Sequence, residues 1–195
     1  MILPAIKDMR RMSDIAFRPV MTSDLDTVSC WLSAKHVVEF WDTSSEHKRD
    51  IDIFASGRKE ASSYFEGRFH YWLALIEQVP FAMIMTIQEM LNEERPRIKT
   101  AYLSNTGNTY SLDFMIGNID YLGKGLAAQT LDQFVNFFSS EVDTKADTYF
   151  IDPKATNVKA KAAYKKAGFK LVGSFKREES MHSIDNIMHF LVKKV

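Results

Sequence analysis

The chain holds a single cysteine, Cys30, among its 195 residues. No internal disulfide can form, and a metal site of several cysteines is excluded. Cys30 lies in the apolar stretch "VSCWL" and is expected as a buried structural thiol rather than a nucleophile. The five histidines (His36, His47, His70, His182, His189) show no His-Glu-x-x-His or similar spacing, so no metal is expected. Charge of one sign is not in excess: 25 basic and 25 acidic residues cancel, which argues against a general nucleic-acid binder. A local acidic or basic pocket remains compatible with that balance. No apolar run approaches the ~20 residues that span a bilayer. The start, "MILPAIKDMRRMSD", lacks the apolar core of a signal peptide. A cytoplasmic protein with no membrane partner is expected. Internal repeats, Pro/Gly-rich linkers and low-complexity tracts are also missing. Residues 1–14 read as a loose arm and 15–195 as one domain.

What is present is a mixture of periods. "IAFRPV" (15–20) reads as a strand, followed by a helix over 24–34 capped by Thr22 or Ser23, with Leu25, Val28, Trp31 and Leu32 on one face. Residues 44–67 are polar and helical in character, with Ile51, Ile53, Phe54, Tyr64 and Phe65 as candidate buried positions. "FHYWLALIEQ" and "PFAMIMTIQ" form an antiparallel hairpin turning at Val79-Pro80. Residues 89–108 are charged and broken by Pro96 and Gly107. They read as a long excursion with a short helix at its start, of a kind that carries specificity. In "TYSLDFMIG" (109–117), Tyr110, Leu112, Phe114 and Ile116 share one strand face; Ser111, Asp113 and Met115 share the other. A helix follows Gly123, with Ala127, Leu131, Phe134, Val135 and Phe138 on its apolar stripe. A strand at 148–152, a helix capped by Thr156 and stopped by Gly168, and closing strands at 169–175 and 185–195 complete the chain. The order predicts one mixed α/β domain around a partly antiparallel sheet.

"GNIDYLGKGLAAQTL" admits three readings as a phosphate loop. A Walker loop needs Ser or Thr after Gly-Lys, where Gly125 stands. Gly123, Gly125 and Ala128 fit a dinucleotide fingerprint, which would make the chain a nicotinamide oxidoreductase. Asp152, however, lies 29 residues beyond Gly123, later than the usual ~20 for the ribose-binding acid. The third reading is a diphosphate held by free N–H groups at a helix start, with glycines allowing close approach. Lys124 adds charge there or points into solvent. A glycine-rich helix start without a ligand stands beside it on equal terms.

Downstream residues favour the third reading. Gly123 and Gly125, together with Asn157, Ala160, Tyr164, Lys166, Gly168 and Phe169 of "IDPKATNVKAKAAYKKAGF", resemble the GCN5-related N-acetyltransferase (GNAT) family. The family's Q/R-x-x-G-x-G/A motif has Asp120 in its first place here. Within the family the chain is most similar to aminoglycoside 6'-N-acetyltransferases, over about residues 16 to 190. The resemblance implies a central mixed, mostly antiparallel sheet flanked by helices, acetyl-CoA as co-substrate and no metal. It implies that Met115, Ile116, Leu122, Gly123, Lys124, Gly125, Leu126, Ala127 and Asn157 meet the cofactor, and that Tyr164 protonates the leaving thiolate. Alone, Tyr164 would be read as a packed aromatic with its hydroxyl satisfied. Asn157 and Tyr164 are seven apart and so share a helix face.

Acetyl transfer to an amine needs the ammonium to lose a proton, and Asp113 is the carboxylate expected to take it or to anchor the amine. Asp152 is a second carboxylate, or a strand-end acid capping the turn before Pro153. Glu39, Asp42, Asp113 and Asp152 could line an acidic acceptor site, with Trp41 as a sugar-facing wall. The excursion, with Arg95, Arg97 and Lys99, departs from the antibiotic-resistance enzymes, which tend to be acidic there. The acceptor is therefore expected as a small-molecule amine, the 6'-amine of an aminoglycoside among the candidates. Siderophore-type hydroxylamine acylation, protein or peptide N-acetylation and a non-catalytic CoA-binding module are the alternatives. Either a monomer or a homodimer is compatible with the sequence.

Overall fold

A computed structural model describes residues 14–90, 96–177 and 187–195; the expected arm (but for its last residue) and Arg95 of the excursion lie outside the described residues. The chain starts with strand β1 (Ala16–Pro19) and a 3-10 turn at Thr22–Asp24, which leads into α1 (Leu25–Leu32). Asp24, rather than Thr22 or Ser23, stands at the N-cap position of α1, without a side-chain hydrogen bond to the helix. Its carboxylate accepts from the Met21 N–H at 2.8 Å and from both terminal nitrogens of Arg18 at 2.6 and 2.9 Å. A carboxylate that also pairs with an arginine holds the helix entry to β1, which a hydroxyl could not do.

α1 buries Val28, Trp31 and Leu32. Cys30, expected inside, is exposed. At 100° per residue it falls off the stripe that Trp31 and Leu32 define, so an apolar neighbourhood in sequence did not mean burial. The short α2 (Lys35–Val38) and α3 (Ser45–Ala55) follow. α3 is shorter than the polar stretch suggested. Of its expected buried positions Ile51 is buried, Ile53, Phe54 and Tyr64 are half-buried, and Phe65 is exposed.

β2 (His70–Ile76) and β3 (Val79–Glu89) form the expected hairpin. Its turn is Glu77-Gln78, with φ of 50° and 68°, the left-handed pair that matches strand twist. The turn expected at Val79-Pro80 is thus two residues late. Pro80 instead lies in β3 opposite Leu75, where the register shifts and the missing N–H is tolerated.

The described helix of the excursion is α4 (Arg97–Thr100), after Pro96; residues 91–95, where the helix expected at the segment's start would fall, lie outside the described residues. β4 (Asn108–Ile116), α5 (Leu126–Phe137, continued by a wider turn over Phe138–Val142) and β5 (Ala146–Ile151) come next. α6 (Val158–Lys166), β6 (Lys170–Lys176) and β7 (Ile187–Lys194) close the fold. Asn157, not Thr156, caps α6: its Oδ1 accepts from the Ala160 N–H at 3.0 Å. Gly168, at φ 91°, ends the helix as expected.

Among the described residues the sheet runs β1-β2-β3-β4-β5-β7-β6, antiparallel except for β4 and β5. One face packs on α5 and α6 through Leu112, Leu131, Phe134, Tyr164 and Phe169. The other packs on α1 to α3 through Trp31, Ile51, Met83, Met85 and Met115. Beside that second face, Ile98, Tyr102 and Leu103 of the excursion cover Phe150, Phe190 and Val192. No described helix is long and apolar enough to cross a membrane.

Candidate active site

The parallel pair opens partway along its length. β4 and β5 pair from Asn108 and Ala146 only as far as Ser111 and Phe150. β4 runs on to Ile116 without β5 beside it. The Gly117 N–H donates to Phe81 O at 2.9 Å, so odd-numbered backbone groups at this end of β4 turn towards β3. By the alternation of a strand, the Leu112 N–H closes the last pairing with β5, and the Leu112 C=O and the N–H and C=O of Phe114 turn into the split. The Ile116 carbonyl already accepts from His36 Nε2 at 3.1 Å. Gly117 marks a close approach: an added Cβ would come within 2.0 Å of the Trp31 ring, so α1 is clamped against the end of β4.

Beyond the split, Asn118 accepts from the Asp120 N–H at 3.0 Å and starts a 3-10 turn at Ile119–Tyr121. Tyr121 stacks on Phe81 at 5.0 Å, and Lys124 Nζ stands 5.5 Å from the Tyr121 ring centre. Gly123 and Gly125 have φ of 72° and 77°, and nothing lies within 4 Å of where a Cβ would sit on either. The glycines serve the backbone's left-handed turn, and the space above them is open. α5 then starts with Gly125 as its cap and no side chain bonded to its first N–H groups. Its first turn therefore presents free donors at the positive end of the helix. Leu122 is exposed, and Leu126 and Ala127 are half-buried at the same place.

Asp113 lies past the last paired position, on the floor of the recess. Its surface is solvent-accessible, yet it sits at depth among protein atoms. Burial lifts its pKa to about 6; the Asp152 carboxylate adds to the rise, and Arg177 and Lys99 oppose it. Tyr164 is 6% exposed, and burial, then Asp113 and Asp152, push its phenol well above the ordinary value. Its hydroxyl makes no hydrogen bond among the described residues and is not among the sealed unpartnered atoms. A packed ring with an unsatisfied but unsealed hydroxyl faces a space. Asp113, Asp152 and Tyr164 thus feel one another, and Asn157 stands at the start of the helix that carries Tyr164. With Oδ1 engaged in the cap, the Asn157 Nδ2 group has no partner among the described residues.

The opposite wall is made by side chains. Tyr64 donates to Asp42 Oδ2 at 2.9 Å, and its phenol is raised by burial, by Asp42 and by Asp113. Burial pulls the Asp42 carboxyl up, but hydrogen bonds from Ser44 and Tyr64 outweigh it and hold it low. His47 is fully buried, stacks on Tyr64 at 4.7 Å and donates through Nδ1 to the Asp42 carbonyl at 2.6 Å. Beneath it, buried Asp50 accepts from Arg58 at 2.8 Å, Ser62 at 2.5 Å and Tyr71 at 2.6 Å. Trp41 is half-buried on His47, with its Nε1 unpartnered.

Two expected positions stand apart. Met115 is buried against α1 and α2, with its backbone turned to β3. Glu39 is exposed at the end of α2, with no ion pair or hydrogen bond among the described residues. The structure adds side chains with no sequence motif: Tyr64, Glu89, Lys99 and Arg177. Lys99 Nζ lies 3.2 Å from Asp152 Oδ2 and 3.8 Å from Glu89 Oε1. A proline ahead of a short Arg-Ile-Lys helix is the one local sign that Lys99 is held in place. No group of three or more His, Cys, Asp or Glu among the described residues is arranged for a metal.

Residues 20–177 match the family described as Acetyltransferase (GNAT) domain. The chain belongs to this family. The GNAT chain is accordingly an N-acetyltransferase. Its fold is similar to an aminoglycoside N(6')acetyltransferase from Legionella pneumophila, at 24% identity over 91% of this chain and 90% of that one, with a TM-score of 0.69. It is similar to AAC(6')-Ib solved with coenzyme A and kanamycin, at 19% identity over 92% and 94%, TM-score 0.68. A spermidine N-acetyltransferase chimera from Vibrio cholerae matches at 12% identity over 93% and 96%, TM-score 0.65. At these identities the likeness speaks for the fold.

Proposed function

We propose that this GNAT chain moves an acetyl group from acetyl-CoA to the amine of a small molecule. The observation that carries the reading is Asp113, titrating at about 6 on the floor of the β4/β5 split and within the field of Tyr164. The residues fit the cofactor. The first turn of α5, left uncapped beside Gly123 and Gly125, would hold a diphosphate, with Lys124 adding charge. The unpaired C=O of Leu112 and the N–H and C=O of Phe114 would bond an amide-bearing arm, and the Asn157 amide would meet it from the other side. Acetyl-CoA supplies a thioester carbonyl open to attack. Asp113, ionised above about pH 6, takes the proton that an acceptor ammonium must lose. Tyr164, kept protonated by its surroundings, holds a proton on the far side of the split for the departing sulfur.

The names of similar structures and the carboxylates at Asp42, Asp113 and Asp152 bring forward the 6'-amine of an aminoglycoside as a finer reading, against which the ammonium of Lys99 beside Asp152 weighs. Release of free thiol from acetyl-CoA, measured across a panel of amines and one aminoglycoside, tests both levels. Turnover with some amine, together with a higher melting temperature in the presence of CoA, is expected. No turnover with any amine and no thermal shift would sink the proposal.

A further inference from the structure

Lys99 is a feature that a general amine site would not need. It sits on α4, and α4 is fixed by packing. Ile98 enters a notch left by Gly173, where an added Cβ would stand 2.3 Å from its Cδ1. Tyr102 meets Phe190 edge-on at 5.9 Å, and Leu103 joins the same cluster. This anchoring turns Lys99 inward. Its side chain is 13% exposed, and its Nζ lies 5.4 Å from the centre of the Phe175 ring and against both Asp152 and Glu89. Asp152, Glu89 and Lys99 all act on the titration of Asp113, so the group stands within electrostatic range of that carboxylate.

An acceptor with two ammonium groups would place one at Asp113 and need counter-charge for the other. The neighbouring carboxylates, Asp152 and Glu89, already have an ammonium. Arg177 adds a second positive charge within range of Asp113 and Tyr64. We infer that Lys99 is an internal occupant of the second cation subsite, and that the acceptor is an amine bearing a single ammonium group. Repulsion by a resident charge is a means of selection as effective as a new contact. The inference rests on the reading of Asp113 as the acceptor side of the cleft. It makes polyamines and aminoglycosides poor acceptors for this chain.

The test compares 1-aminopentane with 1,5-diaminopentane in the wild-type chain, Lys99→Met, Lys99→Gln and Lys99→Arg. Both neutral variants are expected to raise the diamine-to-monoamine ratio of kcat/KM about tenfold, the factor that corresponds to one modest charge contact. Lys99→Arg keeps the wild-type ratio. An unchanged ratio in the neutral variants overturns the inference, as does an equal loss on both amines with a lowered melting temperature, which would make Lys99 only an anchor. Lys99→Gln, with a polar end, covers the case in which Lys99→Met does not fold. Should the wild type turn over neither amine, the proposed activity fails with these acceptors. Calorimetry then decides the inference: tighter diamine binding by the neutral variants sustains it, and unchanged binding overturns it.

Discussion

The two sides of the cleft are made from different materials. The side that fits the cofactor is backbone: an unpaired strand edge, two left-handed glycines and an uncapped helix start. The proposed acceptor side is side chains drawn from six places: Asp42, Tyr64, Glu89, Lys99, Asp113 and Arg177. Backbone geometry suits a ligand that does not vary, because it is fixed by a few residues close together in sequence. Side chains held by long-range contacts can be exchanged one at a time without disturbing the sheet. The family's common chemistry and its varied acceptors follow from that division.

The largest expected effect tests whether the sides are separable. Asp113→Asn should lower kcat/KM by about 10²–10⁴, the range for a lost general base, while the CoA affinity measured by calorimetry stays within about twofold. Equal losses in both would make Asp113 a structural residue. Next, Arg58→Ala leaves the buried Asp50 carboxylate without its cation and should cost about 3 kcal/mol or more in urea unfolding. Protein that remains folded should keep its CoA affinity and lose amine affinity, since Asp50 supports the wall behind Tyr64. Gly125→Val forces a branched side chain into the left-handed region and should cost about 1–2 kcal/mol of stability. Its signature is weaker CoA binding with an unchanged preference among amines.

The smallest effects are in pH. The rate with a fixed amine should fall below about pH 6, as Asp113 takes up its proton, provided the base is the ionised form. Stability carries the opposite sign. The folded chain binds this proton more tightly than the unfolded chain, whose aspartates titrate near 3.9. The penalty for ionising Asp113 is absent below about pH 4, grows as pH rises to about 6, and is complete above it. Asp113→Asn should therefore melt about 2–4 °C higher than wild type at pH 8, taking about 1 kcal/mol after solvent screening, and no higher at pH 4.

The same division explains what the sequence disclosed. Strand alternation put Asp113 opposite Leu112 and Phe114, and the structure has that arrangement. Gly123, Gly125 and Asn157 could be found because a helix start writes its geometry into adjacent residues. Where one residue can do another's work, the reading slipped: Asn157 caps α6 in place of Thr156, Asp24 takes the N-cap position of α1 without a cap bond, and Glu77-Gln78 turn without a glycine. Cys30 shows that a one-residue step around a helix outweighs an apolar neighbourhood. Tyr64 and Arg177 carried no local pattern, and Lys99 only the proline ahead of its helix, because what defines them is a partner far along the chain. Asp42 to Tyr64 spans 22 residues, and Lys99 to Asp152 spans more than twice that.

Gly173 gives the excursion a consequence reaching beyond its own strand. It lies on β6, an edge strand, remote in sequence from Lys99 and Asp113. Its missing side chain is the seat of Ile98. An alanine there could be absorbed by swinging the tip of Ile98, whereas a valine would lift α4 and withdraw Lys99 from Asp152. A single hydrogen on the rim of the sheet thus tunes the charge of the pocket, and acceptor choice could drift through β6 while Asp113, Tyr164 and the glycines stay as they are.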